Sequence, residues 1–83
     1  MNFYFVEITD TFAGEANYSW VKRLKVRANT MRGAVNKVSR DSGTAWSCTG
    51  NYGDMMRYDS QYGATCFFIE LWHDDIGYDV SEL

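Results

Sequence analysis

The sequence predicts an α+β fold: a single small domain in which an antiparallel four- to five-stranded sheet carries one helix packed on one face, in β-β-α-β-β-β order. Three observations predict it. Two β-forming segments precede residue 29, separated by a short turn-rich stretch. A single apolar stripe at helical spacing follows, at Met31, Ala34, Val35 and Val38. Further β-forming segments come after it, divided by glycine-bearing turns.

Taken in order, Asn2–Thr9 reads as the first strand, rich in aromatic and branched residues. Asp10–Asn17, with Gly14, reads as a loop of about eight residues that turns the chain back into an antiparallel partner. That partner is Tyr18–Ala28. Its alternation puts Trp20, Leu24 and Val26 on one face, with Lys22 as the exception, and Arg23, Lys25 and Arg27 on the other. Asn29 or Thr30 caps the helix, because a short polar side chain accepts from a free N–H of the first turn. Gly33 inside the helix points to close packing on the sheet, and Gly43 ends it. Ala45–Thr49 is a short strand, Gly50–Gly53 a turn, and Asp54–Asp59 and Ala64–His73 are two further strands. The last of these is the most apolar and belongs near the middle of the sheet. Residues 1–73 are thus read as the α+β domain and 74–83 as an acidic, loosely ordered C-terminal tail, anchored if Ile76, Tyr78 or Val80 packs down.

Composition narrows the class. The chain has 83 residues, too few for two ordinary domains, and 17% aromatics, too many for a disordered one. A domain of this size buries only about 60–65% of its unfolded surface, and aromatic side chains are an efficient way to build a core from so little. No apolar run approaches the roughly 18–20 residues a membrane span needs, and there is no secretory leader pattern. Two cysteines, Cys48 and Cys66, with a single histidine, His73, are too few to close a four-ligand zinc site without carboxylates. The net charge of -3 conceals segregation. Lys22–Arg40 holds seven of the eight bases and no acid, whereas Tyr58–Leu83 holds six acids and no base.

With one helix, only one face of the sheet is covered. The expected covered set is Tyr4, Val6, Ile8, Trp20, Leu24, Val26, Phe67, Ile69 and Leu71. The opposite parity presents Phe3, Phe5, Glu7, Arg23, Lys25, Arg27, Cys66, Phe68, Glu70 and Trp72. This second face needs a role: shielding by the tail or the Asp10–Asn17 loop, a homodimer interface, or ligand binding.

Two patches carry the binding expectation. Tyr52, Met56, Arg57, Tyr58 and Tyr62 gather around the Asn51–Gly63 hairpin, and Tyr, Met and Arg are enriched at interface cores. Asp74, Asp75 and Asp79 form a negative complement suited to a basic partner surface, where they raise the association rate and its salt sensitivity. The alternative is a small nucleic-acid-binding regulator that meets phosphates with Arg23, Lys25, Arg27, Arg32, Lys37 and Arg40. A third class pairs Cys48 with His73 as nucleophile and base. No enzyme activity, metal or cofactor is expected, and Gly50–Gly53 is no phosphate cradle because no helix follows it.

The segments Ala16–Val21, Met31–Val35 with Val38–Arg40, and Gly53–Asp59 resemble those of small uncharacterised accessory proteins carried by phages and other mobile elements. In size and character the chain is similar to anti-CRISPR and other anti-defence inhibitors. That resemblance spans most of the chain and brings no catalytic or binding residues with it. It implies a cytoplasmic inhibitor, in the host cell, that binds a host protein or nucleoprotein complex and blocks it sterically and electrostatically.

Overall fold

The computed structural model describes residues 1–83. Its elements are β1 (Asn2–Phe12), β2 (Glu15–Ala28), α1 (Met31–Ser42), β3 (Trp46–Asn51), β4 (Met55–Ser60), β5 (Thr65–Leu71) and β6 (Ser81–Glu82). They form one six-stranded sheet in the order β3-β4-β5-β1-β2-β6, antiparallel except for the parallel β2/β6 pair. The fold class is the expected α+β, with one strand more than anticipated. The apolar β5 lies between β4 and β1, near the middle of the sheet.

The segment read as a loop is largely strand. β1 and β2 stay paired until Phe12 faces Glu15, and the two residues between them, Ala13 and Gly14, both have positive φ (53° and 83°). Two successive left-handed residues match the twist of the flanking strands, which is how a two-residue hairpin closes. The register slips between Thr9 and Thr11, and β2 bulges outward at Asn17–Trp20. The N–H groups that the bulge removes from the ladder are taken up by two adjacent β1 side chains. Thr9 Oγ1 accepts from Tyr18 N at 2.8 Å, and Asp10 Oδ1 accepts from Ser19 N at 2.9 Å and Trp20 N at 3.0 Å. Asp10 Oδ2 accepts from Asn17 Nδ2 at 2.8 Å and from the Ser19 hydroxyl. Tyr18 adopts a left-handed φ of 58° at the apex of the bulge.

Helix α1 begins and ends as its sequence indicates. Thr30 accepts from Gly33 N at 3.0 Å, and Gly43, at φ 70°, donates its N–H to Ser39 O at 2.9 Å. A Cβ on Gly33 would stand 3.3 Å from Thr30 Oγ1 and 3.5 Å from Ala28 Cβ, so the first turn sits tightly on the end of β2. Ala34, Val35 and Val38 pack onto Tyr4, Val6, Ile8, Leu24, Val26, Phe67 and Ile69. Phe67 is enclosed by Trp46, edge-on at 4.8 Å, and Tyr58, stacked at 5.1 Å.

Two residues expected under the helix are exposed instead. Trp20 lies on the helix side, lining a shallow pocket with Ile8, Ser42 and Trp46, but it sits in the bulge beside the helix C-terminus and is 51% exposed. Leu71, at the last residue of β5, is 57% exposed. The acidic tail is anchored through Tyr78, one of the three residues expected in that role, and beyond expectation it adds a strand. Residues 81–83 dock along the outer edge of β2, with Ser81 opposite Leu24 and Glu82 opposite Lys25. Leu83 N donates to Lys25 O, and Arg27 N donates to Leu83 O. The Leu83 side chain packs against the core, and residues 81–82 add a short strand to the sheet.

Candidate binding face

The sheet face away from α1 can be laid out as rows across the strands. Met55, Glu70, Phe5 and Lys25 form one row, which Glu82 extends on β6. The next is Arg57, Phe68, Glu7 and Arg23, and the third is Asp59, Cys66, Thr9 and Val21. Strand alternation delivers these side chains to one surface. The tail and the bulge then cover part of it from opposite directions.

From the tail comes Tyr78. Its ring stacks parallel to Phe5, with centroids 6.1 Å apart, and the Arg23 guanidinium carbon lies 3.9 Å from its centroid. Arg23 Nε also donates to Glu7 Oε2 at 2.8 Å, so the guanidinium is held by a carboxylate and a ring together. Lys25 Nζ is similarly placed, 4.7 Å from the Phe3 ring and 4.5 Å from the Trp72 ring. From the bulge comes Tyr18, whose hydroxyl pKa is raised by burial and by the nearby Glu7 carboxylate. Cys66 is fully buried in this face, and desolvation raises its thiol pKa. It is therefore poorly suited to act as a nucleophile.

Between Tyr18 and Tyr78 lies a pocket of about 320 Å³ lined by Phe5, Glu7, Tyr18, Met55, Phe68, Glu70 and Tyr78. Both charged residues in its lining are acids. Glu7 is joined to Arg23 through Oε2, and Glu70 Oε1 lies 2.7 Å from His73 Nε2. Beside the pocket, Arg57 Nε donates to Asp59 Oδ1 at 2.8 Å, and its Nη2 donates to Gly14 O at 2.7 Å. Burial alone would raise the Asp59 carboxyl, but hydrogen bonds from Arg57 and Thr49 outweigh it and hold it below its usual range.

The residues expected to anchor a partner around the Asn51–Gly63 hairpin divide between surfaces. Met56 and Tyr58 point to the helix side, packed against the core, while Arg57 points to the opposite face. Tyr52 folds over Gly50, where an added Cβ would meet its hydroxyl at 2.6 Å. Tyr62 projects from the β4–β5 turn, 90% exposed. Asp74, Asp75 and Asp79 are exposed and form no ion pair. Among the bases considered for nucleic acid, Arg23 and Lys25 are engaged with rings, and Lys37 Nζ donates to Arg27 O. Arg27, Arg32 and Arg40 are exposed. Cys48, on the outer strand β3, and His73, beyond the end of β5, are not brought together. Cys48 pairs with Tyr58, which faces Phe67, and six residues of chain from there to His73 span about 20 Å.

A scan against protein-family models, a search of curated proteins and a search of solved structures each found no match. No helix is long and apolar enough to cross a membrane.

Proposed function

We propose that this protein is a non-enzymatic binding module that docks on a basic surface of a host protein or nucleoprotein complex, using its second sheet face and the acidic segment beside it. The observation that carries this reading is the state of Asp74, Asp75 and Asp79. The tail lies next to the most basic strand, with Glu82 opposite Lys25, yet none of these three carboxylates is used for an internal ion pair. Their charge is available to a partner, where it steers association and confers salt sensitivity. Tyr62, exposed on its turn, is a second candidate contact. In this reading the protein acts as a phage or mobile-element inhibitor that occludes a defence complex, the function its resemblance to anti-defence proteins implies.

The test is capture from a host lysate by the wild-type protein and by a variant carrying Asp74→Asn, Asp75→Asn and Asp79→Asn. The wild type should retain a partner at low salt and release it as salt rises, and the triple variant should lose it. A partner held equally by both proteins at every salt concentration would refute the reading. A second reading, a small nucleic-acid-binding regulator, is favoured by one observation: Arg27, Arg32 and Arg40 are exposed and outside every ion pair. It requires an electrophoretic shift of DNA or RNA at low salt, and absence of that shift removes it.

A further inference from the structure

We infer that the pocket between Tyr18 and Tyr78 receives an arginine side chain presented by the partner polypeptide. This deepens the binding-module reading and rests on it. The argument is one of chemical complementarity. The pocket offers aromatic surface from Phe5, Phe68, Tyr18 and Tyr78, and its charged residues are Glu7 and Glu70. Aromatic faces attract cations, and carboxylates accept from them, so an incoming group that satisfies both must be cationic and partly apolar. Guanidinium meets the requirement better than ammonium. It is planar and weakly hydrated, stacks on rings, and donates through a fork to carboxylate oxygens.

Acceptors remain for it. Glu7 uses Oε2 for Arg23, and Glu70 uses Oε1 for His73, while the second oxygen of each takes no hydrogen bond from the protein. The same face already holds a guanidinium in this manner, since Arg23 lies between the Glu7 carboxylate and the Tyr78 ring. A partner arginine would repeat that arrangement on the β5 side of the pocket, with Glu70 in the place of Glu7. The 320 Å³ volume has room for one such side chain and argues against a larger occupant.

The test is a titration of the isotope-labelled protein with a short acetylated, amidated glycine–arginine peptide, followed by nuclear magnetic resonance. A peptide with citrulline in place of arginine keeps the shape and removes the charge. The arginine peptide should move the amide signals of Phe5, Phe68 and Glu70, and the citrulline peptide should leave them in place. Glu70→Gln should weaken binding about tenfold, in line with loss of a charged hydrogen-bond partner. Glu15→Gln, which removes an exposed carboxylate outside the pocket lining, should bind like the wild type and serves as the folded, charge-matched control. Equal shifts with citrulline, or unchanged affinity in Glu70→Gln, would overturn the inference. If the signals of Asp74, Asp75 and Asp79 move while the pocket stays still, the pocket assignment falls and the binding-module reading stands. If the triple aspartate variant also retains the captured partner at every salt concentration, the reading falls as well.

Discussion

Asp10 shows how one side chain can determine local backbone. It sits where β2 leaves the ladder, and it gathers the N–H groups of Ser19 and Trp20 with the side chains of Asn17 and Ser19. Hydrogen bonds from Ser19 and Asn17 are the largest reasons its carboxyl is held far below the usual carboxylate range. The sign of the pH effect follows. The unfolded chain takes up the proton at higher pH than the folded chain, so this contribution to stability is present at neutral pH. It is lost as pH falls below about 5 and the carboxyl is progressively protonated. Asp59, also held low by Arg57 and Thr49, acts in the same direction. Thermal melts from pH 7 to pH 2 should show the wild type losing stability on acidification. Asp10→Asn should melt lower at pH 7 and lose less as the pH drops. Parallel pH profiles for the two proteins would contradict this account. Tyr18 depends on the same device, because its left-handed backbone is tied down through Thr9, and Tyr18 walls the pocket.

At the scale of elements, the helix and the tail make separate, measurable contributions. Removing the cap by Thr30→Ala leaves Gly33 N without its acceptor and should cost about 1 kcal/mol in denaturant unfolding. Tyr78→Ala removes the ring stacked on Phe5 and lying against Arg23, and should cost about 1–2 kcal/mol. It should also speed amide exchange at Arg27 and Leu83, whose hydrogen bonds hold the tail to β2; unchanged exchange there would show that Tyr78 does not anchor it. Much of the element pattern was legible in the sequence because period-2 and period-3.6 signals are local. The parity of β1, β2 and β5 placed Tyr4, Val6, Ile8, Leu24, Val26, Phe67 and Ile69 in the core correctly. Trp20 and Leu71 escaped because parity says which face a residue joins but not how far the helix reaches along it. The hairpin at Ala13–Gly14 was hidden because its bulge depends on side-chain acceptors, which a hydropathy pattern does not record. The pocket was legible only in part: the sequence marks Tyr78 as an anchor of the tail and the tail as a cover for this face, but not their joining with Tyr18. Tyr18 and Tyr78 lie sixty residues apart and meet only through the bulge and the tail's return across the sheet. The Met56, Arg57 and Tyr58 group dissolved because neighbours on a strand point to opposite faces.

For the whole molecule, the segregated charge becomes a spatial arrangement. The C-terminal segment returns to the basic strand, but Arg23 and Lys25 on the second face are held by Glu7 and by aromatic rings rather than by the tail's aspartates. The molecule therefore keeps charge of both signs for outside use, with Asp74, Asp75 and Asp79 on the tail and Arg32 and Arg40 on the helix. The two-residue strand β6 has one further consequence. A sheet ends where its outer strands end, and an uncovered edge is a template on which another chain can add. On one side, β3 is short and interrupted by a register shift between Cys48 and Gly50. On the other side the edge would be β2, fourteen residues long, but residues 81–83 occupy the stretch from Leu24 to Arg27. Residues 81–83 thus cover that stretch of edge, and the expectation is that they keep a second copy from pairing there. Deleting them should leave a folded protein whose sedimentation shows concentration-dependent association. Added salt should strengthen that association by screening the repulsion between Lys25 and Arg27 of neighbouring copies.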